Sequence, residues 1–155
     1  MDKKKILIVD DDQDLLRALK VVLEAHDYAT VFATHGALSI DTAMRETPDL
    51  ILLDLGLPDG IGLTVMERLQ QIEGLASIPV IVITCRPEHL YKDASLVAGA
   101  KEYLQKPIDN AELLSAIRRV LADPMPLERK DSTRPDELSE KRPQREETVW
   151  TRKRS

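Results

Sequence analysis

The chain has 155 residues, enough for one domain with a real core and too few for two ordinary ones. Apolar residues make up 43% of it but aromatics only 3%, so the core must be built mostly from Leu, Ile, Val and Ala. The net charge of −5 argues against general nucleic-acid binding, no apolar run is long enough to span a membrane, and the single cysteine, Cys85, excludes an intramolecular disulfide or a cysteine metal cluster.

The N-terminus, Met1-Asp2-Lys3-Lys4-Lys5, has a charged start without the apolar stretch of a signal peptide, so a soluble cytoplasmic protein is expected. Lys5-Ile6-Leu7-Ile8-Val9 reads as a first strand running into Asp10-Asp11-Asp12. Leu15, Leu16, Leu19, Val22 and Leu23 then recur at helical spacing, with Asp12 or Asp14 placed to cap or favour the start. Residues 29–33 form a second strand, and residues 36–46 a weaker helical pattern that Pro48 ends.

Leu50-Ile51-Leu52-Leu53 is a continuous branched apolar run, the mark of a strand buried on both faces of a parallel sheet. It ends on Asp54, and Gly56 and Pro58 break it. Gly60 and Gly62 mark a loop before a third helix carrying Leu63, Met66, Leu69 and Ile72. The run from Pro79 to Thr84 is a fourth strand, and Pro87 suits the first turn of a fourth helix that stops at Gly99. Residues 102–105 make a short fifth strand leading to Lys106-Pro107, and Asp109 or Asn110 caps a last helix bearing Leu113, Leu114, Ile117, Val120 and Leu121. Five strand–helix alternations predict a parallel sheet with helices on both faces.

Beyond Ala122 the composition changes. The last 33 residues hold four of the nine prolines and few large apolar side chains, which predicts a largely disordered, charged tail. That tail carries nine basic and eight acidic residues, leaving residues 1–122 with a net charge of −6. An acidic body suits a protein that holds a cation or meets a basic partner. In the tail, Trp150 beside Arg152-Lys153-Arg154 reads equally as a partner-docking motif or as a remnant linker.

The strand ends carry the chemistry. Asp10 and Asp11, Asp54, Thr84 and Lys106 all fall at strand carboxyl ends, the edge where open α/β sheets bind ligands. One aspartate there is most simply a turn residue. Four strand ends agreeing in chemistry favour a site over a salt-bridged edge. Two carboxylates 4 Å apart repel by roughly 4 kcal/mol at an effective dielectric near 20. A hard divalent cation, Mg²⁺ or Mn²⁺, offsets that repulsion. A carboxylate beside such a cation, a lysine and a hydroxyl is arranged to accept a phosphoryl group as an acyl phosphate.

These residues, with Asp49 to Pro58, Val82-Ile83-Thr84, Ala98-Gly99-Ala100, Tyr103 and Lys106-Pro107, make the sequence similar to response-regulator receiver domains of two-component signalling over residues 3–122. The resemblance implies a doubly wound (βα)5 flavodoxin-like three-layer sandwich with strand order 2-1-3-4-5. It implies Asp54 as phosphoacceptor, Asp11 as a direct magnesium ligand, Asp10 as one through water, and the Gly56 carbonyl as a further ligand. Thr84 and Lys106 would bind phosphoryl oxygens, and Tyr103 would change rotamer as Thr84 moves.

The implied protein is a stand-alone receiver domain (1–122) with a tail (123–155), cytoplasmic, and catalysing no reaction beyond its own aspartyl phosphorylation and dephosphorylation. Its implied partners are a sensor histidine kinase or histidine phosphotransfer protein and an unidentified downstream protein, with no direct nucleic-acid contact. It would be a monomer or a weak phosphorylation-dependent dimer through the fourth helix, fifth strand and fifth helix. Three positions depart from or qualify the pattern. Ile61 stands where an acidic residue is common; Cys85 replaces a small Ala or Gly and is expected to be a buried small hydrophobe; Arg86 matches the family or is a solvated loop charge. Two other functions compete: a receiver-like binding module that works without phosphorylation, which the intact set argues against, and a dehalogenase-like aspartyl-phosphate phosphatase, which needs an Asp-x-Asp pair where position 56 is Gly.

Overall fold

The computed structural model describes residues 2–59 and 62–122. The expectations for Gly60, Ile61, Trp150 and the tail from 123 onward lie outside the described residues. In chain order the elements are β1 (Lys4–Val9), α1 (Gln13–Ala25), β2 (Tyr28–Ala33), α2 (Gly36–Glu46), β3 (Leu50–Leu53), α3 (Gly62–Gln71), β4 (Val80–Thr84), α4 (Glu88–Val97), β5 (Glu102–Gln105) and α5 (Asn110–Ala122). The strands form one parallel sheet in the order β2-β1-β3-β4-β5, the predicted flavodoxin-like arrangement.

Alternation along each strand divides the core in two, because successive side chains point to opposite faces. Leu7, Val9, Ile51, Leu53, Val80 and Val82 pack with Ile40 and Ala43 of α2 and Val65, Met66 and Leu69 of α3. Ile6, Ile8, Leu50, Leu52, Ile81 and Ile83 pack with Leu16, Leu19 and Leu23 of α1 and with Leu113, Ala116, Ile117 and Val120 of α5. Every residue of β3 is buried, as its unbroken apolar run predicts for a central strand. Truncating any of those leucines to alanine would cost about 2–5 kcal/mol through lost burial and the cavity left behind.

Helix starts resolve three open points. Asp12 caps α1, its Oδ1 accepting from the backbone N–H of Asp14 and Leu15 at 3.0 and 3.2 Å. Asp109 rather than Asn110 caps α5, accepting from Ala111 N–H at 3.1 Å. Pro87 is not in the first turn of α4. It sits one residue earlier, with extended backbone at ψ 133°, because Glu88 is the first helical residue. Gly99, at φ +118°, ends that helix as its position predicts.

Candidate functional site

Strand register brings the candidate residues together. Val9 of β1 pairs with Leu53 of β3, so the next residues, Asp10 and Asp54, leave the sheet side by side. Both are tied to the sheet edge, Asp10 N–H donating to the Ala33 carbonyl at 3.1 Å and Asp54 N–H to the Val9 carbonyl at 3.0 Å. The connection after β1 runs outward to β2 and the one after β3 runs the opposite way to β4, which makes this gap the topological switch point of the sheet. On the other side of β3, Thr84 ends β4 and accepts through its carbonyl from Lys106 N–H at 2.8 Å, which carries Lys106 to the same edge.

Lys106 reaches across the sheet end to two carboxylates. Its Nζ lies 2.7 Å from Asp10 Oδ2 and 3.4 Å from Asp54 Oδ2. Asp10 is 3% exposed and Asp54 8%, so these are charges held largely out of water. Asp11 projects from the same strand end into solvent, and one oxygen from each of Asp10, Asp11 and Asp54 lies within 4.8 Å of the others. Burial raises the Asp10 carboxyl above the usual aspartate value, against the pull of the Lys106 bond and of Asp12 N–H. Burial alone would lower Lys106, but its bonds to Asp10 and Asp54 outweigh that and hold the ammonium above the ordinary lysine value.

Three carboxylates against one ammonium leave an excess of two negative charges, all on hard oxygen donors. That charge and donor set fit a divalent cation of the magnesium type. Gly56 N–H donates to Asp54 Oδ1 at 3.1 Å, which folds the Gly56 peptide back toward the acidic cluster. Asp10 Oδ1 accepts from Asp12 N–H at 2.9 Å, leaving the other Asp10 oxygen to Lys106.

Thr84 is 1% exposed and its Oγ1 accepts from Arg86 N–H at 3.2 Å, leaving the hydroxyl proton to donate elsewhere. Tyr103 is 7% exposed, packed into the core, and its hydroxyl donates to the Arg86 carbonyl at 2.6 Å. Burial, followed by the negative charge of Glu88, raises the Tyr103 phenol above its ordinary value.

Of two loop residues singled out in the sequence, Cys85 departs from expectation and Arg86 does not. Cys85 is exposed, not buried: β4 ends at Thr84, the chain bends, and nothing covers the thiol among the described residues. Arg86 is exposed yet engaged, with its guanidinium carbon 5.7 Å from the centre of the Tyr91 ring. Its Nε and Nη2 also come within 3.7 Å of where a side chain on Gly56 would begin. One participant was not foreseen at all. Asp59, in the loop after β3, accepts from Gly36 N–H at 2.8 Å and Ala37 N–H at 3.1 Å, the first two amides of α2. An acidic residue after Pro58 was visible in the sequence, but nothing local connects it to a helix 23 residues earlier.

Comparison with known proteins bears on this constellation. The family model for the response regulator receiver domain matches residues 6–118. The chain is 37% identical over 113 residues to the transcriptional regulatory protein KdpE of Mycobacterium tuberculosis, covering 73% of this chain and 49% of that protein. It therefore spans about half the length of the curated relatives it matches. A receiver domain protein from Methanospirillum hungatei superposes with a TM-score of 0.72 at 31% identity, covering 77% of this chain and 94% of that one. The receiver domain of a sensor histidine kinase from Pseudomonas aeruginosa also superposes at 0.72 with 26% identity, over 78% of this chain and 99% of that one. That structure has a magnesium ion coordinated in its active-site cleft.

Proposed function

Because this chain belongs to the response regulator receiver domain family, we propose that Asp54 accepts a phosphoryl group and that its charge switches the surface of the domain. The observation that carries the reading is the convergence of Asp10, Asp11 and Asp54 within 4.8 Å, with Lys106 bridging two of them. The donor is the phosphohistidine of a sensor kinase or of a histidine phosphotransfer protein. One Asp54 carboxylate oxygen attacks phosphorus, the new O–P bond forms as the P–N bond breaks, and the leaving imidazole keeps the electron pair.

Asp54 is held for this attack by Gly56 N–H on one oxygen and Lys106 on the other. As the phosphoryl group arrives, the Lys106 ammonium neutralises one equatorial oxygen and the Thr84 hydroxyl donates to another. Asp11, Asp54 and the Gly56 carbonyl, with Asp10 through water, would hold a magnesium ion, which when bound would supply further positive charge against the phosphoryl oxygens and offset the mutual repulsion of the carboxylates. The same cluster admits water to the acyl phosphate, so hydrolysis of its own Asp54 phosphate is the only further chemistry proposed.

Signalling then follows from Thr84. Drawing its hydroxyl toward the phosphoryl group changes the bond it accepts from Arg86 N–H, and the Arg86 carbonyl is the anchor of the Tyr103 hydroxyl. Phosphorylation therefore biases the packing of Tyr103 and the loop before α4, a population shift that requires the phosphoryl group to interact better with one arrangement. The face of α4, β5 and α5 reads out the change to a downstream protein or a second copy. Only Ser95 of α4 is buried, and Leu90 and Val97 are 64% and 88% exposed, which supports a face that meets protein.

Direct nucleic-acid contact is not part of the proposal for residues 1–122, which are acidic at a net −6. The relatives lend that expectation no support, since those named transcriptional regulators are about twice as long as the matched region. No helix among the described residues is long and apolar enough to cross a membrane. The proposed setting is the cytoplasm, where ATP-charged phosphohistidine donors are found.

Acetyl phosphate with magnesium should shift the wild-type chain on a phosphate-affinity gel and leave Asp54→Asn unshifted. An equal shift of both would remove Asp54 from the role.

A further inference from the structure

The loop between β3 and α3 carries Gly56, whose carbonyl the proposed function places on the metal. Its far end is tied to the molecule in an unusual way. The residue at the N-cap of α2, His35, makes no side-chain capping bond. The first amides of a helix need acceptors, and a helix normally finds one in its own cap residue. Here Asp59 supplies both from a different loop, one carboxylate oxygen to Gly36 N–H and the other to Ala37 N–H.

The close approach depends on Gly36 having no side chain. A Cβ there would stand 2.9 Å from Val65 Cγ2 and 3.3 Å from Asp59 Oδ1. The loop is thus fastened at two points, by Asp59 to α2 and by Gly62 N–H to the Leu55 carbonyl at 2.9 Å. Between Asp59 and Gly56 lie only Leu57 and Pro58. Leu57 is 6% exposed in the core layer shared with α2 and α3, Pro58 has a locked φ, and a residue preceding proline is confined to extended backbone. That dipeptide is a stiff link. A shift of Asp59 is passed to Gly56 rather than absorbed.

We propose that Asp59 is a positioning residue for the cation site: by gripping the start of α2 it sets where the Gly56 carbonyl stands, and through it the affinity for magnesium. The inference rests on the metal role assigned above to Asp10, Asp11, Asp54 and Gly56. It adds a residue that touches neither metal nor phosphoryl group.

The test is calorimetric titration of magnesium chloride into the full chain, with no phosphodonor present. Asp59→Ala should weaken magnesium binding by about tenfold, the lower end of what loss of a ligand-supporting bond does to metal sites. Asp59→Asn, which keeps one oxygen acceptor and serves if the alanine variant folds poorly, should fall about threefold. Asp41→Gly is the control: it weakens the exposed middle of the same helix without touching the loop, and should lower thermal stability while leaving magnesium affinity at the wild-type value. Amide hydrogen exchange at Gly36 and Ala37 should quicken in the Asp59 variants. Wild-type affinity in Asp59→Asn and Asp59→Ala, or an equal loss in Asp41→Gly, overturns the positioning role while the metal site stands. A wild-type chain that takes up no magnesium overturns the metal reading itself, and the role of Asp59 with it.

Discussion

Electrostatics at the strand ends make Asp54→Asn an unusual substitution, one expected to stabilise the metal-free protein. Asp54 shares the site with two carboxylates, their nearest oxygens within 4.8 Å, and with one ammonium at 3.4 Å. At an effective dielectric near 20, each repulsion amounts to roughly 3.5 kcal/mol and the attraction to roughly 5 kcal/mol. Neutralising Asp54 removes both repulsions and the single attraction, a net gain of roughly 2 kcal/mol before solvent is considered. Asp11 faces water, so screening reduces the gain to about 1 kcal/mol. For a domain of this size that is a rise of about 3–5 °C in Tm.

The measurement is thermal unfolding in chelator and again in magnesium. At ten times its Kd, magnesium should stabilise the wild type by about 1.4 kcal/mol. Asp54→Asn, with a ligand lost, should gain much less, so the stability order closes or inverts. Lys106→Met is the opposite control. It strips the one cation from two buried carboxylates and should destabilise the metal-free chain by about 3 kcal/mol. If Asp54→Asn proves less stable than wild type in chelator, or gains as much from magnesium, the picture of a strained acidic cluster is wrong.

Two further outcomes follow from the same geometry. A Cβ on Gly62 would sit 2.6 Å from the Asp54 carbonyl oxygen and 2.8 Å from Leu55 Cα, and backbone cannot step aside as a side chain can. Gly62→Ala should therefore destabilise by about 2–3 kcal/mol in urea titration, and an unchanged midpoint would contradict the packing at the start of α3. The raised Asp10 carboxyl has a definite sign: the folded chain holds that proton more tightly than the unfolded one. Its contribution is full below the ordinary aspartate value and is lost as pH rises through the higher folded one. Wild type in chelator should accordingly lose stability relative to Asp10→Asn as pH rises from about 4 toward neutrality; a difference that is flat with pH would refute the assignment.

Much of this molecule was written in local patterns. Apolar stretches, from four unbroken residues in β1, β3 and β4 down to Tyr103-Leu104 in β5, each ended by a polar residue, place the five strands, because strand burial leaves its mark on neighbouring positions. The same runs put Asp10, Asp54, Thr84 and Lys106 at strand ends, and parallel pairing gathers those ends at one edge whatever the loops do. What folding alone decided lies in contacts between distant loops. The sequence offers no period that links Asp59 to Gly36, or Tyr103 to the Arg86 carbonyl 17 residues away. Whether Cys85 is covered depends on where β4 ends and the chain bends, and which of two carboxylates Lys106 holds more closely depends on register across four strands. Short-range order follows from residue type because each side chain chooses between core and water on its own. A hydrogen bond between loops exists only once the sheet has set the distance between them.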